Sequence, residues 1–347
     1  MSTNDKRVYD VYGIGNALVD FEYRVTEAFL RDNDIARGHT TLVDAEQMAD
    51  IRERLDGHDT RRTSGGSAAN TAYAVAAFGG RAFYACRVAS DEDGGFFLRE
   101  LGDAGVGSKP GERPEGVTGR CVSMVTPDAE RSMFTFLGIS EELCPEDLDH
   151  AALARSQYLH IEGYLCSSPT ARAAVAQARE AARAEGVRAS LVISDPAMVL
   201  FFREGLEEML GNGVDQLFCN EEEALTWTKT DRLDIAANEL RDIAPHVNIT
   251  LGARGSLVIS PKGTAEVSGF PAQAIDTTGA GDMYAGACLY ALTAGASSTE
   301  AARFAGAAAA KTVSMFGARL PSAHHYRELL AEIGVAAPAR PAAVRSA

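Results

Sequence analysis

The sequence has few basic residues for its size and no long apolar run. Lys and Arg number 33 against 48 Asp and Glu in 347 residues, a formal net charge of −15. That deficit of positive charge argues against nucleic acid or an anionic membrane as partner, although backbone N–H groups can still hold a phosphate locally. No stretch approaches the ~18 uninterrupted apolar residues of a membrane span, and residues 1–7 carry no apolar signal core, so a cytoplasmic protein is expected. The six cysteines (Cys86, Cys121, Cys144, Cys166, Cys219 and Cys288) stand singly with no C-x-x-C pair, as free thiols in a reducing compartment do. Also missing are the G-x-x-x-x-G-K-[ST] loop of Walker NTPases, the H-R-D and D-F-G set of protein kinases, and the G-x-S-x-G of serine hydrolases. The seven histidines show no H-x-x-x-H or H-E-x-x-H spacing, so zinc is not expected.

What is present is an ordinary globular composition, 46% hydrophobic and 23% charged, long enough for one large α/β domain or two smaller ones. Val8–Gly15 reads as a first strand. Strands at Gln157–Glu162, Ala189–Ser194, Asp215–Cys219 and His246–Leu251 alternate with helices at Thr170–Glu185, Phe202–Leu210 and Asp234–Ile243. That alternation implies right-handed βαβ units and a doubly wound, mainly parallel sheet flanked by helices. Gly119–Gly138, two β-prone runs around Pro127-Asp128, is a hairpin and cannot be a core parallel pair. With the short runs Phe21–Val25 and Thr40–Val43 it suggests a small β-sheet lid. The expected organisation is one domain over 8–335, lid inserts at about 17–45 and 117–138, and a disordered tail at 336–347.

The densest chemistry lies in Asp276-Thr277-Thr278-Gly279-Ala280-Gly281-Asp282, which runs into a helix-periodic apolar segment closed by Gly295. A small-residue loop at a helix N-terminus presents free N–H groups and a favourable dipole to an anion. A carboxylate there, on Asp282, costs repulsion. It makes sense as a base that takes the proton from a hydroxyl attacking a phosphoryl group. A second run, Thr63–Gly80, leads from Gly65-Gly66 into a helix, with Ser67 as a fair N-cap and Asn70 one turn in. GIGNAL (Gly13–Leu18) fails as a dinucleotide fingerprint, because Leu18 fills the third small position. Asn16 and Asp20 follow that strand's carboxyl end, where ligands bind in open α/β sheets, and Asp20 can accept two sugar hydroxyls. Asn220 and Glu223 fit two roles equally: organisers of water around Mg²⁺, or a capping Asn with first-turn glutamates. Arg131, on the returning hairpin strand, is either solvated or reaches across to a phosphate.

Together these residues resemble the PfkB/ribokinase family of small-molecule kinases over about Tyr9–Leu330. The signatures are GGSAAN at Gly65–Asn70, N-x-x-E at Asn220–Glu223 and DTTGAGD at Asp276–Asp282, in that family's order. The resemblance implies ATP as phosphoryl donor, Mg²⁺, and transfer to a hydroxyl of a sugar or nucleoside. It implies Asp282 as general base and the backbone of Gly279, Ala280 and Gly281 as anion hole. Asn220 and Glu223 then organise magnesium water, and Asp20, Gly65, Gly66 and Asn70 contact sugar hydroxyls. Thr250, Gly252 and Gly255 match the nucleotide-side T-x-G-x-x-G, and Asp276, Thr278 and Gly317 fall where many members hold a monovalent cation such as K⁺. Within the family the front of the chain is most similar to adenosine kinases and their bacterial relatives, through Gly13–Asp20, Gly65–Thr71 and Glu130–Gly138. There Arg131 is similar to the lid arginine near the γ-phosphate, and Tyr164 matches an aromatic that stacks a purine. The expectation is an ATP:nucleoside 5′-phosphotransferase, monomer or homodimer. A sugar kinase is the alternative, and a silent sugar or nucleoside sensor the rival from another class.

Overall fold

The computed structural model describes residues 7–334 apart from 39, 110, 129 and 130; the expected tail and Glu130 lie outside them. Among these residues the chain forms fourteen strands: β1 (Tyr9–Ile14), β2 (Leu18–Arg24), β3 (Thr40–Leu42), β4 (Thr60–Gly65), β5 (Ala82–Ala85), β6 (Val106–Ser108), β7 (Gly119–Val125), β8 (Arg131–Phe136), β9 (Ser156–Glu162), β10 (Arg188–Val192), β11 (Gln216–Asn220), β12 (His246–Thr250), β13 (Gly255–Ser260) and β14 (Gly263–Ser268). Nine make a mostly parallel sheet in the order β14-β13-β12-β11-β10-β9-β1-β5-β6, with β13 and β14 antiparallel at one edge. Helices cover both faces. That is why β1 is buried continuously from Asp10 to Ile14 instead of alternating. The Pro169–Ala184 helix shows how a covering helix is specified. Ser168 caps it, and Ala171, Ala174, Val175, Ala178 and Ala182 form its buried stripe.

The other five strands form a smaller sheet, β3-β8-β7-β2-β4. Here the pattern does alternate: Val19, Phe21 and Tyr23 are buried, while Leu18, Asp20 and Glu22 are only partly so. Register places Cys121 and Thr63 beside Asp20, and Ser123 and Arg61 beside Glu22, so these share the polar face. Thr60–Gly65 is the edge strand of this sheet, outside both stretches expected to supply it. It lacks apolar alternation because its two faces carry arginines. Arg62 stacks on Phe96, 4.2 Å from the ring centroid, and pairs with Asp93 of the Glu92–Asp103 helix. Arg120 of β7 donates to the same Asp93 at 2.6 Å. Asp93 is 6% exposed and holds two guanidinium groups. Removing it leaves Arg120 without its acceptor and Arg62 with only the exposed Glu92, 2.9 Å from Nη1, so Asp93→Ala is expected to lower stability by about 2 kcal/mol, read as a drop in the urea midpoint. An unchanged midpoint would show that the pair adds nothing to the joint between sheet and helix.

One glycine sets the geometry of the site. Gly286 lies in the Ala280–Thr293 helix, and a Cβ there would meet Ala74 Cβ at 2.7 Å and Thr71 O at 2.8 Å. The helix therefore packs closely along the Ser67–Ala77 helix. Asp282, one turn before Gly286, then faces Ser67 and Asn70, one turn before Thr71 and Ala74.

Several expected elements change extent. Phe202–Leu210 is preceded by a separate helix at Pro196–Phe201, and Asp234–Ile243 is an α-helix only over Leu233–Glu239. A last helix, Ala323–Ile333, closes the described chain.

Candidate active site

The Asp282 carboxylate is partly exposed and tied at both oxygens. Ser67 Oγ donates to Oδ1 at 2.6 Å and Asn70 Nδ2 to Oδ2 at 3.0 Å. Ser67 is thus the first residue of its helix and a partner of Asp282. The cap is Gly66, which makes no side-chain capping bond, so the expectation of Ser67 as N-cap is corrected. Burial raises the Asp282 carboxyl to about 6, with the bonds from Ser67 and Asn70 and the charge of Arg319 holding it from going higher. A base poised near neutrality can accept a proton and release it again.

Just before it, Gly279 sits at φ +70°, and a Cβ there would lie 2.4 Å from Ala318 Cβ. The turn is closed by Ala280, whose N–H donates to Thr277 O at 3.2 Å. Ala280 therefore leaves the expected set of anion donors. The amides of Gly281 and Asp282 point out of the helix's first turn, with no backbone acceptor among the described residues.

Asp20 stands on the polar face of the smaller sheet. Burial raises its carboxyl to about 7, Arg319 and Arg131 lower it, and Asp282 and Glu100 raise it further. Its oxygens lie where a Cβ of Gly65 would be, at 2.1 and 2.4 Å. Gly66, at φ +101°, passes its backbone against Asn16 O, 2.3 Å from where a Cβ would sit. Asn16 is 4% exposed, and its backbone N (3.3 Å) and Nδ2 (3.0 Å) donate to Glu162 Oε1. Glu162 also accepts from Ala68 N at 2.9 Å. Asn16 was expected among the substrate contacts; its amide group instead braces the loop from beneath. Tyr164 lies in a short turn after β9. Its hydroxyl donates to Ser194 O at 3.4 Å, and its ring is within electrostatic reach of Asp195, Asp282, Glu162 and Glu223.

At the neighbouring strand ends, Asn220 and Glu223 form a reciprocal capping box. Asn220 N and Nδ2 donate to the Glu223 carboxylate at 2.9 and 2.8 Å, and Glu223 N donates back at 2.8 Å. Burial lifts the Glu223 carboxyl to about 7. The capping reading is thus realised, and the pair turns inward on itself. Thr250 pairs in register with Asn220, which sets the T-x-G-x-x-G loop beside the capping box. Gly252 and Gly255 both take positive φ there, +60° and +102°. For Gly255 a Cβ would also strike Val267 O at 2.0 Å.

The family model for pfkB family carbohydrate kinases matches residues 36–325. The chain belongs to this family. This pfkB kinase is 30% identical to adenosine kinase of Saccharomyces cerevisiae over 304 residues, 81% of this chain and 88% of that protein. It is also 30% identical to ribokinase of Haemophilus influenzae over 277 residues, 77% and 86% of the two chains. The solved structure of adenosine kinase from Sinorhizobium meliloti superposes with a TM-score of 0.84 at 35% identity, covering 92% of this chain and 99% of that one. The fold is ribokinase-like, and membership makes the protein a phosphotransferase with a hydroxyl acceptor that uses ATP.

Two site expectations change in this kinase. Arg131 is engaged by side chains beside the Gly279–Gly281 loop. It donates to Glu22 Oε2 at 3.0 Å, to Ser123 Oγ at 3.2 Å and to Asp276 Oδ2. Asp276, Thr278 and Gly317 do converge as expected, since Gly317 N donates to Oδ2 at 2.6 Å and Thr278 N to Oδ1 at 3.0 Å. The positive charge on that carboxylate, however, is the Arg131 guanidinium, so the residues do not fit a monovalent cation and K⁺ is not supported. Reading the sequence missed Ser67 as partner of the base, Glu162, Glu22 and Arg319. Arg319 is 249 residues from the Asn70 it bonds, and no local pattern marks it.

Proposed function

We propose that this chain transfers the γ-phosphoryl group of ATP to the 5′-hydroxyl of a nucleoside, adenosine being the first candidate. The observation that carries this is the pair Asp20 and Asp282, on two different layers, converging at Gly65–Asn70 beside a helix N-terminus. Asp20 accepts hydroxyls of the acceptor's ribose. Asp282 takes the proton of the attacking hydroxyl, a new O–P bond forms, and the bond to the leaving ADP oxygen breaks. The Gly281 and Asp282 amides, with Gly279 shaping the turn, stabilise the charge on the transferred group. The smaller sheet acts as a lid whose closure keeps water from competing.

The nucleotide fits this end of the molecule, where two positive-φ glycines bring backbone near Thr250. Mg²⁺ would arrive with its phosphates, neutralise their charge and keep most of its waters, which would donate to the lone pairs that the capping box leaves on the Glu223 carboxylate. No described helix is long and apolar enough to cross a membrane, and a cytoplasmic enzyme working on small molecules is the reading offered. Tyr164 supports a purine acceptor, since a phenol face stacks on a base and a plain sugar needs no such platform. The ribokinase relative favours the second reading, a sugar acceptor. An ADP-release screen over nucleosides and sugars with Mg-ATP separates them: turnover on adenosine is expected to exceed that on ribose and fructose. Turnover on a free sugar with none on adenosine removes the nucleoside assignment. Tight ligand binding with no ADP release would instead mark a sensor.

A further inference from the structure

We infer that Arg319 is a positioning residue for this phosphoryl transfer: it fixes which way the Asn70 amide points and, through it, the carboxylate of Asp282. The inference rests on the kinase reading above and adds a residue that none of the family signatures contains. Arg319 follows the Ser298–Val313 helix, and its side chain is 11% exposed. Its Nε donates to Asn70 Oδ1 at 2.9 Å and its Nη1 to Ser64 Oγ at 3.0 Å. The guanidinium lies over Tyr73, with Cζ 4.1 Å from the ring centroid.

An arginine has only donors, so the atom of Asn70 that faces it must be the oxygen. The amide nitrogen then faces Asp282 Oδ2, an acceptor, at 3.0 Å. Both ends of the amide demand the same orientation. A flip would set N–H against guanidinium and oxygen against carboxylate. With Ser67 on Oδ1, both oxygens of the base are fixed, which leaves it aimed at one hydroxyl position.

The closest polar contacts of this arginine run to Asn70 and Ser64 and not to a carboxylate. A stabilising buried arginine pairs with a carboxylate, as Arg62 does with Asp93. The carboxylate beside Arg319 is Glu100, 3.9 Å from Nη1. Its Nη2 is buried with no partner among the described residues, as is the Nε of Arg62. Its charge also works against burial at both acids, lowering Asp282 and Asp20. The other titratable groups in reach of Asp282 are Asp20, Glu162, Tyr84 and Tyr164, none of them cationic.

The test compares wild type, Arg319→Gln and Arg319→Lys by steady-state kinetics with Mg-ATP and acceptor, and by carbon-13 NMR titration of the Asp282 carboxyl, assigned with Asp282→Asn. In Arg319→Gln the Asp282 titration, and the acid limb of kcat/KM with it, should move up by about one pH unit, with kcat down at least about tenfold. Arg319→Lys should restore the titration but not kcat, because an ammonium cannot span Asn70 and Ser64 as the planar fork does. A folded Arg319→Gln with unmoved titration, or with wild-type kcat, overturns the assignment. If the glutamine variant does not fold, wild-type kcat in Arg319→Lys overturns it equally. Absence of phosphoryl transfer by wild type would fell the kinase reading alone, since the NMR arm still reads the coupling of Arg319 to Asp282.

Discussion

Asp282→Asn is expected to lower kcat by a factor on the order of 10²–10⁴, the usual worth of a positioned general base. The substitution is a clean one. Asparagine keeps the shape, and the Ser67 hydroxyl can turn from donor to acceptor, so its contact at 2.6 Å survives with the roles exchanged. Asn70 Nδ2 can then donate to the new amide oxygen. What disappears is the capacity to take a proton. In wild type, kcat/KM should fall about tenfold per pH unit below about 6, the value to which burial raises Asp282; this limb should be absent from the variant's residual rate.

Stability gives a second readout with a definite sign. Because the folded value lies above the ordinary 3.8, wild-type stability from this group is full below 3.8 and is lost as the pH rises through about 6. The asparagine variant does not titrate, so it should be at least as stable as wild type at neutral pH, and the gap should close on acidification. Inactivity without loss of stability is the expected outcome. Near-normal turnover would remove Asp282 from the mechanism.

Gly65→Ala should lower kcat/KM for the acceptor at least about a hundredfold while leaving the fold intact. Gly65 ends a strand and its φ is not positive, so alanine meets no backbone strain. The nearest neighbours of that Cβ are the three carboxylate atoms of Asp20, 2.1–2.4 Å from it. Asp20 must swing away. If it accepts two acceptor hydroxyls as an ionised group, each bond is worth about 1.5–3 kcal/mol, and the pair together reaches about a hundredfold or more. Asp20→Ala should then show the same loss in the same parameter, and the double variant should add little, because both remove one interaction. ATP KM measured at saturating acceptor should change much less. An alanine variant with an unaffected acceptor KM would mean that Asp20 does not hold the acceptor.

The two variants probe features that differ in how plainly they could be read. DTTGAGD was legible because its chemistry is backbone chemistry. A positive φ at Gly279 and a helix start at Ala280 are local consequences of small residues in a row. Gly252 and Gly255 announced themselves in the same way. Thr60–Gly65 was not legible as a strand. Its faces carry Arg61 and Thr63 on one side and Arg62 on the other, so the apolar alternation that marks a strand is missing, and its partners sit on another helix. Asn220–Glu223 was legible as a pair but not as a role, since a capping box and a water-organising pair have the same spacing. The partners of Ser67, Asn16 and Arg131 were not legible for one shared reason. Each spends its polar group on a residue far away in the chain: Asp282, Glu162 and Asp276.

From the order of residues alone came the α/β alternation, the family signatures, and the two acids meant to work at opposite ends of an acceptor. Those rest on periodicity and on backbone conformations that neighbouring residues impose. Only the tertiary structure decided how side-chain hydrogen bonds are shared out. It put Arg131, not a cation, on Asp276. It tied the Ala280 amide into the loop's own turn, and it ran Arg319 through Asn70 to Asp282. The physical cause is packing: the contact of Gly286 with Thr71 and Ala74 sets two helix starts side by side. Donors and acceptors more than 200 residues apart then find one another at about 3 Å.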